Sequence, residues 1–315
     1  MLRKLLVGFL VVTLAVVLGV GTAIAKDKYI VASDVSWAPF EMPTAGGEFY
    51  GFELDTIRAI AVVAGLELEI QNVGFSTIIE SVKSGKADIG ISGFTITEDR
   101  AKSVDFSGPY FLAQQAIVMR KDSGLNAVTA LIGKGPNKAV GAQSGTTGAD
   151  WVETQLRANG IDVQLKEYDT YPMAILDLVN KRTDAVIQDE PASRFSLRDY
   201  PNDLEIGAII NTNEYYGILV PKGDPKGILP KINAAMVALG LSVKDAGGGR
   251  KALVVTQGSV WDNLLTAYFG PAGGNAPASD KTEAAWLKYK SILLNAKTLA
   301  DVQQFASSFV SEAAK

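Results

Sequence analysis

The sequence contains no cysteine and no histidine. The missing thiols exclude disulfide staples, thiolate metal sites, cysteine nucleophiles and a lipidated N-terminal cysteine, so stability has to come from apolar cores. The missing imidazoles exclude Ser-His-Asp catalysis and histidine-ligated metals. We expect no metal, no cofactor and no catalytic residue. Positive charge is also short: 30 Lys and Arg face 34 Asp and Glu, a net charge of −4. No stretch is basic enough to track a phosphate backbone, which argues against a nucleic-acid partner. A single run, Leu5 to Val20, is apolar for long enough to approach a membrane span. It follows Arg3-Lys4 and ends in Ala23-Ile24-Ala25, the pattern of a secretory signal cleaved after Ala25, with an uncleaved anchor as the alternative. Residues 26–315 are then long enough for two domains with substantial cores.

What is present beyond residue 25 alternates between strand and helix patterns. KYIVAS (28–33) reads as a strand ending at Asp34, with Trp37 and Phe40 just past it. A helix follows over Glu53–Ala64, its apolar positions Leu54, Ile57 and Ala61 on one face and Gly65 at its stop. After the strand LELEIQ, Ser76 is placed to cap a helix running to Lys83. Ala87–Ile91 is the next strand, and QQAIVMRK (114–121) another. A second series then runs from Lys138–Ala142 through helices over Thr147–Ala158 and Thr170–Asn180 to AVIQ (185–188), which delivers Asp189 at its end. YYGILVP (215–221) reads as a return strand, with helices near Ile228–Leu239 and Val260–Phe269. Strand-helix repetition of this kind implies parallel α/β sheets, whose ligands lie at the carboxyl ends of strands. Past the Gly/Pro/Ala linker 270–280, two helical patterns carry Trp286, Leu287 and Tyr289, then Val302, Phe305 and Phe309. They read either as a hairpin packed on its own domain or as a partner-binding appendage.

The stretch 87–110, ADIGISGFTITEDRAKSVDFSGPY, concentrates the candidate chemistry. Ser92-Gly93 allows close backbone approach, Thr95 and Thr97 offer hydroxyls, and Thr97 is placed to cap a short helix containing Arg100. A planar guanidinium there can hold a carboxylate through two parallel bonds. The alternative is a surface ion pair with Glu98 or Asp99.

Five motifs in order, SDVSWAPFE, YGFELDTI, GFSTIIESVKSGKADIGISGFTITEDR with VDFSGPY, VGAQSGTTG and TDAVIQDEP, carry a resemblance. Over about residues 28–270 the chain resembles the amino-acid branch of the periplasmic solute-binding proteins that feed ABC importers. The resemblance implies an α/β, two-lobed, type II periplasmic-binding-protein fold, each lobe a sheet domain, joined by two crossing strands. Residues 26–117 and 217–270 would form lobe 1, 118–216 lobe 2, and 271–315 a linker plus helical extension. It also implies roles. Arg100 would take the ligand α-carboxylate with the Thr95 hydroxyl and Thr147 beside it. The Gly93 carbonyl and Asp189 would take the α-ammonium, Trp37 and Phe75 would sandwich the side chain, and Asp34 would accept at its far end. Each has a plainer reading: Asp189 as a helix cap, Trp37 and Phe75 as core aromatics, Asp34 as a turn residue. With Gln143 and Gln188, Asp34 makes the pocket polar and acceptor-rich, favouring a donating side chain such as glutamine, arginine or lysine. The function implied is a monomeric, periplasmic amino-acid-binding protein delivering its ligand to an ABC permease. A periplasmic dehydratase for a prephenate-like acid and a membrane-anchored sensor remain the alternatives.

Overall fold

The computed structural model describes residues 28–248, 250–271 and 277–315; the signal-peptide expectation for residues 1–25 lies outside them. The chain opens with β1 (Tyr29–Ser33), a hairpin of β2 (Met42–Pro43) and β3 (Phe49–Tyr50), α1 (Phe52–Ala64), β4 (Leu68–Asn72), α2 (Phe75–Lys83), β5 (Ile89–Gly90), the single turn α3 (Glu98–Ala101) and β6 (Val104–Phe106). Next come β7 (Phe111–Arg120), α4 (Ala127–Leu131), β8 (Ala139–Gln143), α5 (Thr147–Trp151), β9 (Gln164–Tyr168), α6 (Tyr171–Val179), β10 (Ala185–Asp189), α7 (Glu190–Asp199) and β11 (Leu204–Tyr216). Then follow β12 (Leu219–Pro221), α8 (Leu229–Ala238), β13 (Leu241–Gly247), β14 (Arg250–Val255), α9 (Val260–Phe269), α10 (Ser279–Leu294) and α11 (Leu299–Ala313).

Two five-stranded sheets organise these elements. The first has the order β4-β1-β5-β12-β6 and the second β11-β7-β10-β8-β9. In each, a parallel core of strands linked through helices is completed by antiparallel pairs. The fold is therefore α/β with two sheet-containing lobes, the type II periplasmic-binding arrangement. Sheet membership changes between Phe106 and Phe111 and again between Tyr216 and Leu219. The first crossing expected at 117–118 thus falls inside β7, which pairs with β11 from Phe111↔Tyr216 to Arg120↔Leu204 and belongs wholly to the second sheet. Alternation is what conceals this: residues 111–114 look like the end of a loop, yet their backbone is already committed to β11.

Local chemistry explains most boundaries. Helix α1 stops at Gly65 in the left-handed region, whose N–H returns to Ala61 and Val62 carbonyls. Helix α2 begins two residues earlier than a Ser76 cap predicts, with Gly74 as an extended N-cap and no capping side chain, so Phe75 opens the helix. The β5 pairing is shorter than the buried run Ala87–Ile91 because beyond Gly90 the chain turns toward the cleft. The helix expected over Thr147–Ala158 is α5 continued by a π-helical stretch and a 3-10 turn, ending at left-handed Gly160. The β13–β14 hairpin carries no strong signal in sequence because most of it faces solvent.

Helices α10 and α11 pack on their own lobe. Trp286, Phe305 and Phe309 are buried, each worth about 1.5–3 kcal/mol of burial. Trp286 Nε1 donates to Asp55 at 3.1 Å and the Tyr268 hydroxyl donates to the same carboxylate at 2.6 Å. Glu53 and Asp55, two positions apart and so on opposite faces of α1, are both fully buried. Asp55 faces the extension while Glu53 faces the cleft, where both its oxygens accept from Gly93 N–H at 3.0 Å.

Candidate ligand-binding site

The carboxyl ends of β1, β5, β8 and β10 converge on one cavity between the lobes. Nine of the ten residues expected in the pocket line it: Asp34, Trp37, Phe75, Gly93, Thr95, Arg100, Gln143, Thr147 and Asp189. Ser92, Thr146 and Tyr171 complete the wall, and the two lobes are closed tightly on it. Gln188, expected to add polarity here, instead faces a separate hollow on the other side of Trp37 with Phe195 and Tyr200. Its place one residue before Asp189 on β10 turns it to the opposite side of the sheet.

Trp37 and Phe75 are core aromatics that also border the cavity. Trp37 stacks on Phe40 at 4.6 Å and Phe75 on Phe94 at 4.5 Å, while their other edges line the cavity. Across the cleft, Tyr171 opens α6 as Phe75 opens α2, with its ring 6.3 Å from Trp37. Gly93 is required by space: at φ +59° a Cβ would come within 2.1 Å of Trp37 Cζ3.

Arg100 is not spent on a surface pair. Asp99 is bridged by Lys102 at 3.0 Å, and the Arg100 guanidinium lies over Phe94 and Phe75 at 5.3 and 5.7 Å. Its Nη1 donates to the Thr95 carbonyl at 3.0 Å and Nη2 donates across the cleft to the Gly145 carbonyl at 2.9 Å. Thr97 caps α3 by accepting from Arg100 N–H, as its position predicts. Burial lowers the Arg100 pKa, and the carboxylates of Asp150, Glu214 and Asp189 work against that shift.

Asp34 and Gln143 form the second cross-cleft contact, Nε2 donating to Oδ2 at 2.7 Å. Asp34 also accepts from Ser36 Oγ at 2.8 Å, so the turn reading and the cavity reading coexist. Asp189 precedes α7 without capping it. Its carboxylate accepts instead from Gln115 Nε2. Burial, then the neighbouring Glu214 charge, raise its pKa well above the usual carboxylate range, against donors from Tyr216 and Gln115 and the charge of Arg100.

Three neighbours escaped the sequence reading. Glu214 is 8% exposed and accepts from Thr95 Oγ1 and Thr147 Oγ1, both at 2.6 Å, and from Gln115 Nε2 at 3.0 Å. Gln115 was legible as a polar residue within the apolar strand run 114–121, and Tyr171 as an aromatic immediately after a strand-to-helix turn. Glu214 carried no signal, because it closes a run of four polar residues, Asn211 to Glu214, that reads as solvent-facing.

The family profile described as bacterial extracellular solute-binding proteins, family 3, matches residues 29–242, which span both sheets and every residue of the cavity. The chain belongs to that family. This solute-binding protein is 30% identical over 250 residues to a probable histidine-binding protein of Neisseria gonorrhoeae, covering 79% of this chain and 85% of that one. It is 33% identical over 196 residues to an arginine-binding periplasmic protein of Mannheimia haemolytica, covering 62% and 76%. Among solved structures, the arginine-, lysine-, histidine-binding protein ArtJ from Geobacillus stearothermophilus superposes with a TM-score of 0.63 at 31% identity, covering 78% of this chain and 96% of that one. These relatives are named as binding proteins rather than enzymes. Helices α9, α10 and α11 lie beyond the family match.

Proposed function

We propose that this solute-binding protein captures an L-amino acid with a cationic side chain, arginine foremost, between its lobes and presents it to a membrane ABC permease. One observation carries the choice: the residues lining the cavity supply one cation, Arg100, against two carboxylates, Asp34 and Asp189, with Glu214 directly behind. A zwitterion with a neutral side chain leaves that surplus uncompensated, whereas a guanidinium or ammonium side chain offsets it. The ligand carboxylate pairs with Arg100, its α-ammonium with Asp189 and the Gly93 carbonyl, and its side chain runs between Trp37 and Phe75 toward Asp34 and Gln143. Charge-assisted bonds contribute roughly 1.5–3 kcal/mol each. Three of them with aromatic contact reach the ~8 kcal/mol of micromolar binding after ordering costs.

The names of the relatives support the same class. The two crossings, residues 107–110 and 217–218, act as the hinge, and ligand contacts from both lobes favour the closed state. Residues 1–25 direct export to the periplasm with cleavage after Ala25, and the protein works as a monomer. A thermal-shift screen of the twenty amino acids, followed by calorimetry, tests the reading. Arginine, with lysine or histidine behind it, is expected to give the largest stabilisation; a larger shift with an acidic or aliphatic amino acid overturns it.

A further inference from the structure

Glu214 sits on β11 just before the chain recrosses to the first sheet, and it joins both lobes. Thr95 belongs to the loop after β5 and Thr147 to the start of α5, yet both hydroxyls donate to the same Glu214 oxygen at 2.6 Å. Its other oxygen accepts from Gln115 Nε2 at 3.0 Å, and the same nitrogen donates to Asp189. In this orientation the one amide nitrogen serves both carboxylates.

A hydroxyl has one proton and two lone pairs. With both protons drawn inward to Glu214, Thr95 and Thr147 can only accept from whatever lies in the cavity they line. They are therefore misdirected for a ligand carboxylate and matched to a ligand N–H. We propose that Glu214 is a positioning residue that fixes the polarity of these two hydroxyls, so that with Asp189 they form a three-acceptor cradle for the ligand α-ammonium. The assignment rests on the amino-acid reading above and changes it in one respect: the threonine hydroxyls serve the ammonium, and the carboxylate is left to Arg100 and backbone N–H groups. Glu214 itself does not line the cavity. It acts through the threonines.

The test compares L-arginine with 5-guanidinopentanoate, the same molecule without its α-amino group, by calorimetry on the wild type and on Glu214→Gln. The Gln amide oxygen turns to accept from Gln115 Nε2, which puts the amide nitrogen, a donor, against both threonine hydroxyls and turns their protons toward the ligand. The expected result is at least a tenfold loss for arginine and less than a threefold change for the analogue. Equal losses for both ligands, or no loss for either, overturn the proposal. A wild type that binds no amino acid removes the reading beneath it, an outcome distinct from a wild type that binds while Glu214→Gln behaves alike. If Glu214→Gln lacks a cooperative melt, Thr147→Ser and Thr147→Val pose the same question with Glu214 intact. Serine is expected to keep the preference for arginine over the analogue and valine to reduce it at least fivefold; identical behaviour of the two overturns the proposal.

Discussion

Replacing Arg100 with lysine keeps the charge and removes the geometry. The guanidinium uses one nitrogen on the Thr95 carbonyl and another on the Gly145 carbonyl, at 3.0 and 2.9 Å. Of its five N–H donors, three remain for a carboxylate. It also lies over Phe94 and Phe75, close enough for cation–π attraction. A lysine ammonium has three donors in all and no planar face. Holding the carboxylate, it gives up the cross-cleft bond or the second carboxylate bond, about 1.5–3 kcal/mol. Loss of stacking costs about 0.5–2 kcal/mol more. The sum, about 2–5 kcal/mol, corresponds to roughly a 30- to 4,000-fold weaker Kd for arginine. Titration calorimetry measures it directly, with a thermal melt as the control for folding. A Kd within threefold of the wild type refutes the geometric role of the guanidinium.

Three further outcomes follow from the same structure. The Asp189 carboxyl, raised by burial, stabilises the ligand-free fold below the ordinary carboxylate pKa, and that contribution is lost as pH rises through the raised value. Ligand ammonium favours the ionised form, so binding strengthens with pH over that window and releases a proton. Glu41, Glu53 and Asp55 are raised in the same direction, so the comparison is with Asp189→Asn, which should abolish the buffer-dependent heat of proton release. Gly93→Ala meets Trp37 and a left-handed backbone, costing about 1–2 kcal/mol of strain; a melting point a few degrees lower and a changed tryptophan emission are expected, and an unaltered spectrum sinks the contact. Trp286→Ala opens the packing of the extension on α1 at about 3–5 kcal/mol, visible in the melt, while arginine affinity stays within threefold.

The cavity was legible in sequence to the degree that its residues sit at strand ends. Asp34, Gly93, Thr95, Gln143 and Asp189 each follow an apolar strand, so period and punctuation locate them. Arg100 was placed by its cap, Thr97. What sequence hides is whatever depends on pairing partners far along the chain. The start of β7 at Phe111 is defined by Tyr216, 105 positions away, and Glu214 earns its place only because β11 returns beside β7. Gln188 was misplaced for the converse reason: in a buried strand both faces look alike, and the side a residue faces is set by the sheet rather than by its neighbours in sequence.

Two of the cross-cleft bonds make the cavity a clasp. Asp34, Gln143 and Arg100 line it and also fasten one lobe to the other through the Gln143–Asp34 and Arg100–Gly145 bonds. In the proposed function, separating the lobes would undo this fastening and part the cavity wall in one motion.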